Sequence, residues 1–142
     1  MKKTLFILIL LTTTILFANF TEETKAGKVI VTDTKTNLQW TKDYGTSLTW
    51  QQALSYCENL DYGGYTDWRL PSTNELTTLI NRNKFVPASD FPGMPSDTFW
   101  SSSSHLDEPS LAWRVRFDRG SVSSNGKTAT GRARCVRDGI NF

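Results

Sequence analysis

The chain has only two cysteines, Cys57 and Cys135, and whether they are joined constrains its fold more than any other feature of the sequence. A bond between them would close a loop of more than half the chain and stabilise a small domain by about 4 kcal/mol. A zinc site is poorly supported, because the cysteines are far apart and the chain has one histidine, His105. We expect a disulfide, with two free thiols or a metal-binding pair as the alternatives.

The N-terminal residues indicate the compartment in which these cysteines lie. Lys2 and Lys3 precede an apolar run from Leu5 to Phe17, and the small residue Ala18 follows that run. This order is typical of a secretory signal peptide, and the run is shorter than the ~20 residues of a membrane-spanning helix. We therefore expect residues 1–18 to be a cleaved signal peptide and the mature protein to be periplasmic or extracellular, where disulfides form. An N-terminal anchor that is not cleaved is the alternative.

The remainder of the chain has the length of a single globular domain. Residues 19–27 are expected to form a short polar N-terminal segment, and residues 28–142 the domain. The domain begins with two runs rich in β-branched and large side chains, Lys28 to Thr32 and Leu38 to Thr41, with turn-forming residues between them. These runs predict a β-hairpin.

Two helices are predicted after the hairpin. Apolar residues recur at helical spacing from Trp50 to Leu60, and either Ser47 or Thr49 is placed to cap that helix. Ser72 and Glu75 have the spacing of a capping box, in which each side chain bonds the backbone amide of the other. The second helix is therefore expected to begin after Ser72.

The last third of the chain is predicted to be a sheet. A long loop over residues 81–97, with three prolines and no period, precedes strands from Thr98 to Ser103 and from Leu111 to Phe117. A hairpin turn is predicted at Ser124 to Gly126, and a final strand from Gly131 to Asp138. Segregated helices and strands indicate an α+β fold, with two helices packed on antiparallel β-hairpins and one disulfide.

Several motifs are spread over the domain from Lys28 to Asp138. They are Val31-Thr32-Asp33, Leu38-Gln39-Trp40, Trp50 to Leu54, Gly64 to Ser72, Glu75-Leu76, Phe99 to Ser102, Ala112-Trp113 and Arg134 to Arg137. Together they resemble the Lcl C-terminal domain family, which is named for the globular end of a collagen-like bacterial adhesin. The spaced tryptophans and the D-W-R-L-P loop make this resemblance specific.

The resemblance implies a C-type-lectin-like fold, in which a disulfide from the first helix to the final strand is usual. It also implies a distant relationship to formylglycine-generating enzymes, the sulfatase-modifying factors, whose corresponding segments are similar to Arg69 to Glu75 and Arg134 to Arg137. A shared fold does not establish a shared chemistry. An oxidase of that kind needs thiols in its active site, whereas both cysteines are expected in the disulfide. We expect no enzyme activity and no cofactor.

Metal-dependent and hydrolytic sites are not indicated. The E-P-N or Q-P-D loop and the W-N-D tripeptide with which C-type lectins hold calcium are absent from the sequence. Asp90, Asp97, Asp107 and Glu108 offer oxygen atoms but form no ordered ligand series, so calcium-dependent sugar binding is kept only as an alternative. His105 lies in a serine-rich loop and is expected to be solvated.

The tryptophans allow two interpretations. Most of them lie in periodic segments, which indicates the core, and stacking on sugar rings is the alternative. Trp68, in a loop, fits the core interpretation least well. The five residues are Trp40, Trp50, Trp68, Trp100 and Trp113.

The distribution of charge gives the best indication of function. Residues 19–110 have seven basic and twelve acidic side chains, whereas residues 111–142 have seven basic and two acidic ones. Alternation along the predicted strands places several of these cations on shared faces, and such a patch suits sulfate, carboxylate or phosphate groups. The predicted ligand-binding residues are Arg114, Arg116, Arg119, Lys127, Arg132 and Arg134. Alternatively, these cations neutralise acidic residues within the fold or stay solvated.

These observations predict an exported, non-catalytic, adhesin-like binding module. Its expected partner is a sulfated or acidic polysaccharide or a protein surface, and it has no metal site. We expect no nucleic-acid partner and no membrane span after signal cleavage, while an oligomer is compatible with the sequence. The alternatives are a catalytic relative of formylglycine-generating enzymes and a structural periplasmic component with protein partners only.

Overall fold

The computed structural model describes the backbone of residues 16–17 and the whole of residues 19–139. The predicted signal peptide lies outside this part of the chain except for two residues, and the end of the predicted domain, residues 140–142, also lies outside it. None of the helices in the described ranges is long and apolar enough to span a bilayer.

Strands dominate the described residues, which form two five-stranded sheets and two helices. The first sheet has the order β1-β2-β3-β4-β10 and the second the order β5-β9-β6-β7-β8. In chain order the elements are β1 Leu16–Phe17, β2 Phe20–Lys25, β3 Lys28–Asp33, β4 Leu38–Thr41, β5 Gly45–Leu48, α1 Trp50–Glu58, α2 Thr73–Thr77, β6 Thr98–Ser104, β7 Leu111–Arg116, β8 Ser121–Gly126, β9 Gly131–Ala133 and β10 Val136–Asp138. The expectation of a mixed fold with two helices is confirmed.

The first sheet contains the predicted hairpin, because β3 and β4 pair antiparallel. The polar segment before it, for which the sequence predicts no strand, carries β2, which pairs with β3 along its whole length. Phe20 at the start of β2 is buried and packs edge-on against Phe91, with 5.4 Å between the ring centroids. One apolar side chain therefore anchors this otherwise polar strand in the core.

Both helices begin where the capping signals predict. Thr49 Oγ1 accepts a hydrogen bond from the amide of Gln52, whose side chain accepts one from the Thr49 amide. Ser72 and Glu75 form the same reciprocal pair at the start of α2. These side chains satisfy amides that have no partner within the helix, so each helix starts at a defined residue.

Two predictions about the last part of the chain are wrong. Asn125 and Gly126 do not form a hairpin turn, since they end β8 and pair with Ala112 and Leu111 of β7. The predicted last strand is also not continuous, because it divides at Arg134 and Cys135 into β9 in the second sheet and β10 in the first. In addition β9 runs parallel to β6, so the sheet is not purely antiparallel.

The expected disulfide is confirmed. Cys57 and Cys135 are buried and their sulfur atoms are 2.11 Å apart. The bond fastens α1 to Cys135, one of the two residues at which the chain crosses from one sheet to the other. Cys135 turns toward α1, and the strands on either side of it belong to different sheets. The predicted last strand is interrupted for this reason.

Candidate functional site

The structure distributes the six predicted ligand-binding residues over three different environments. Arg134 is fully buried, and its Nη1 atom donates to the carbonyl oxygens of Thr41 and Lys42 at 2.6 Å each. Its guanidinium lies 4.3 Å from the ring centroid of Phe91, and burial lowers its pKa to about 10. The assignment of Arg134 to a strand face fails because the chain leaves the sheet at this residue, so it cannot contact a ligand at the surface.

Three further cations form ion pairs within the fold, as the alternative interpretation predicts. Arg132 Nε lies 2.6 Å from a carboxylate oxygen of Asp97. Arg116 and Arg119 share the carboxylate of Asp118, at 2.9 and 3.4 Å. Two carboxylates therefore offset three guanidinium groups at one end of β6 and β7, which leaves this region with a small positive excess.

Arg114 differs from these three arginines, because it has no counter-ion. No carboxylate of the described residues lies within ion-pair distance of it, and its buried Nε atom has no hydrogen-bond partner. The guanidinium instead lies 5.1 Å from the ring centroid of Trp100. Burial, followed by the nearby charge of Arg116, lowers the pKa of Arg114. Arg114 is thus held beside a second cation, Arg116. The Nε atom of Arg114 is a hydrogen-bond donor that the described chain leaves unused.

Lys127 has a similar arrangement at the other end of β7. Its Nζ atom lies 4.2 Å from the ring centroid of Trp50 and donates to Ser104 Oγ at 2.7 Å. Arg114 and Arg116 share the face of β7 that also carries Ala112, which packs in the same core cluster as α1. Trp50, the residue beneath Lys127, is the first residue of α1, so Lys127 lies on the same side of the sheet as Arg114 and Arg116. We call Arg114, Arg116 and Lys127 the cationic face.

The opposite face of the second sheet carries a groove of about 450 Å³. Leu106 is 95% exposed and Val122 is 42% exposed, and both line the groove together with Trp113. The other lining residues are Ser72, Thr73, Asn74, Ser103 and Ser104. The ring of His105 stacks on that of Trp113 with 4.9 Å between centroids. His105 is therefore packed rather than freely solvated.

The tryptophans largely follow the core interpretation. Trp40, Trp68 and Trp100 are buried, and the loop residue Trp68 donates from Nε1 to the carbonyl oxygens of Tyr62 and Tyr65. The two tryptophans that are partly exposed adjoin the surfaces described above. They are Trp50, beneath Lys127, and Trp113, in the groove.

The D-W-R-L-P loop is joined to the last strand by charge pairs and backbone bonds. Arg69 forms a two-bond pair with Glu75 at 2.7 and 2.8 Å, and it also contacts Asp138 at 3.0 Å. The backbone groups of Arg69 and Val136 exchange two hydrogen bonds of 2.9 Å each. The motif residues therefore maintain the architecture. Among residues 16–17 and 19–139, no three His, Cys, Asp or Glu side chains are grouped to hold a metal ion.

A family model, described as the Lcl C-terminal domain, matches residues 29–137. The chain belongs to the Lcl C-terminal domain family. The match begins in β3 and ends in β10, so the Lcl C-terminal domain includes the loop and the last strand that Arg69 joins. No curated protein matches the chain.

The groove of this Lcl C-terminal domain is the feature that sequence reasoning missed. Leu106 was the available signal, because it is an apolar residue in a run of serine, histidine and acidic residues. The predicted strand from Leu111 to Phe117 includes Trp113, but alternation alone does not show that this part of the sheet face is uncovered, and no strand is predicted at Val122. The groove also depends on the position of the 105–110 loop, which the sequence pattern does not give.

Proposed function

We propose that the mature protein is an exported, non-catalytic, adhesin-like binding module for an anionic glycan, and that the cationic face is its binding surface. The observation that carries this proposal is the absence of a counter-ion for Arg114 within the described chain. A half-buried cation without a counter-ion is costly unless a ligand supplies the charge, and Arg114, unlike the fully buried Arg134, is partly exposed to such a ligand.

The geometry of the cationic face suits sulfate and carboxylate groups. A guanidinium presents its donors in a planar fork that matches two oxygen atoms of such a group. Trp100 fixes the Arg114 guanidinium by contact with its ring, so little conformational freedom is lost on binding. Arg116 lies two residues along the same strand face, and because it shares the single carboxylate of Asp118 with Arg119, this end of the face keeps a net positive charge.

The state of the cysteines supports a binding role over oxidation. We infer a C-type-lectin-like fold and a distant common origin with formylglycine-generating enzymes from the segments Arg69 to Glu75 and Arg134 to Arg137. The chemistry of those enzymes does not follow, because Cys57 and Cys135 are joined to each other and neither provides a thiolate. A disulfide also accords with export to the periplasm or beyond.

Retention of the mature protein on immobilised heparin tests the proposal. Arg114→Gln should elute at clearly lower salt, with binding to soluble heparin weakened roughly ten-fold, because one charge-assisted contact is worth about 1.5 kcal/mol. Arg82→Gln is the matched control, since it removes the same charge from an exposed residue outside the cationic face. Lys127→Gln should act in the same direction as Arg114→Gln.

Two results would overturn the proposal. The first is no retention of the unaltered protein at low salt, which would leave only protein partners. The second is an equal loss of retention in Arg114→Gln and Arg82→Gln, which would mean that heparin responds to net charge and not to the cationic face.

A further inference from the structure

Strand β8 is at the edge of the second sheet. It pairs with β7 on one side, and no strand of the described residues pairs with its other side. Its sequence, Ser121–Gly126, has no charged residue and no proline, and its register with β7 has no bulge. Charged residues, prolines and bulges are the features with which proteins usually protect an open edge. Strand β8 lacks all three, so it is available for pairing with another strand.

The backbone groups that face outward from β8 can be identified from the pairing pattern. The amide of Lys127 donates to the carbonyl oxygen of Ser110, one position beyond the pair Leu111 and Gly126. In an antiparallel ladder, pairs that exchange hydrogen bonds alternate with pairs that do not. The N–H and C=O groups of Val122 and Ser124 therefore point away from β7.

The same two residues adjoin the groove. Val122 and Ser124 pair with Val115 and Trp113, so their side chains lie on the groove face of the sheet. Leu106, which also lines the groove, is 95% exposed. An open row of backbone groups thus runs beside a groove with an apolar wall. Sheets that bind an extended peptide as an additional strand use this combination. Hydrogen bonds to the backbone provide affinity, and the groove selects a side chain of the peptide.

We propose that β8 and the adjoining groove bind an extended segment of a partner protein by strand addition, with one large apolar side chain of that segment in the groove. A second copy of this chain fits less well. Its own β8 offers one apolar side chain, Val122, which is far smaller than a groove of about 450 Å³. A leucine, phenylalanine or tryptophan buries much more apolar area there.

Synthetic peptides provide the test on the mature protein. The set consists of heptapeptides that alternate threonine and valine and carry leucine, phenylalanine or tryptophan at the centre. One control peptide has alanine at the centre, and another has N-methyl groups on the amides of one edge, which removes donors but keeps the side chains. Binding is measured by titration, and protection of the Val122 and Ser124 amides from hydrogen exchange is measured by NMR.

Two variants separate the edge from the groove. Ser124→Pro removes an amide that points away from β7, so the sheet should persist while strand addition is lost. Leu106→Ser removes the exposed apolar wall and should weaken binding on the order of ten-fold. Phe85→Ser is the control, since Phe85 is another exposed apolar residue, at 71%, outside the groove.

The expected result is binding of the peptides with large central residues and protection of both amides, with no binding of the N-methylated peptide or to Ser124→Pro. The proposal is overturned if no peptide binds at millimolar concentration. It is also overturned if the N-methylated peptide binds equally well, since the groove then takes an apolar group without strand pairing. A dimer that Ser124→Pro abolishes would make this edge a contact between copies and would likewise overturn it.

Discussion

Asp67 and Arg137 are 70 positions apart in the chain, yet they form a two-bond ion pair with distances of 2.7 and 3.1 Å. The side chain of Arg137 is only 10% exposed, whereas that of Asp67 is 60% exposed. The ring of Tyr65 lies 3.7 Å from the Arg137 guanidinium and covers it. This pair joins the loop that precedes α2 to β10, so it connects the middle of the chain to its last strand.

Replacement of Asp67 by asparagine is expected to lower the free energy of unfolding by about 1–2 kcal/mol. The variant leaves the nearly buried Arg137 guanidinium without its carboxylate, and the exposure of Asp67 limits the cost. Urea unfolding at neutral pH measures the change. Asp61→Asn is the control, because it removes an exposed carboxylate with the same change of charge. Equal stability of the two variants would contradict this account of the pair.

The ion pair of Arg69 with Glu75 predicts a dependence of stability on pH. Hydrogen bonds from the Arg69 side chain hold the pKa of Glu75 below its usual value of 4.5. A carboxyl with a lowered pKa in the folded state contributes stability above that usual value, and the contribution is lost as the pH falls through the folded pKa. Glu75→Gln should therefore be less stable at pH 7, and the difference should shrink toward pH 3.

The measurement is urea unfolding of both proteins between pH 3 and pH 7. Glu58→Gln serves as the control because Glu58 is exposed at the end of α1. A difference between Glu75→Gln and the unaltered protein that is the same at every pH would contradict the linkage. It would show that Glu75 stabilises the fold by its shape and not by its charge.

Local features of this fold could be predicted from the sequence, because short-range chemistry decides them. The caps at Thr49 and Ser72 and the β3–β4 hairpin depend on neighbouring residues alone. The end of β8 could not be predicted, since Asn125 and Gly126 have a strong turn preference that pairing with β7 overrides. Tertiary contacts, which the sequence pattern does not display, decide such cases.

The candidate site could likewise be predicted only in part, because tertiary contacts decide the rest. Alternation placed Arg114 and Arg116 on one strand face, and the structure agrees. It also placed Arg134 on a strand face, although the chain leaves the sheet there and buries the side chain. The pairing of Arg132 with Asp97 could not be predicted, because 35 residues separate them and no local pattern relates them.

Removal of the disulfide is expected to destabilise the protein strongly. The bond closes a loop of 78 residues, and loss of that constraint on the unfolded chain corresponds to about 4 kcal/mol. The double variant Cys57→Ala and Cys135→Ala should unfold at correspondingly lower denaturant concentration. Mass spectrometry after alkylation without reductant should find neither cysteine modified in the unaltered protein. Modification of both would disprove the bond and reopen the question of oxidase chemistry.

Arg134 and Arg114 should respond in opposite ways to substitution. Arg134→Met removes the donor to the carbonyl oxygens of Thr41 and Lys42 and should lower the free energy of unfolding by about 2–4 kcal/mol. Retention of the folded variant on heparin should not change, because Arg134 is buried. Arg114→Gln should instead reduce retention with little effect on urea unfolding, since it breaks no hydrogen bond within the described chain. If folded Arg134→Met loses as much retention as Arg114→Gln, the guanidinium of Arg134 must reach the surface in solution, and the division between a buried and a binding arginine fails.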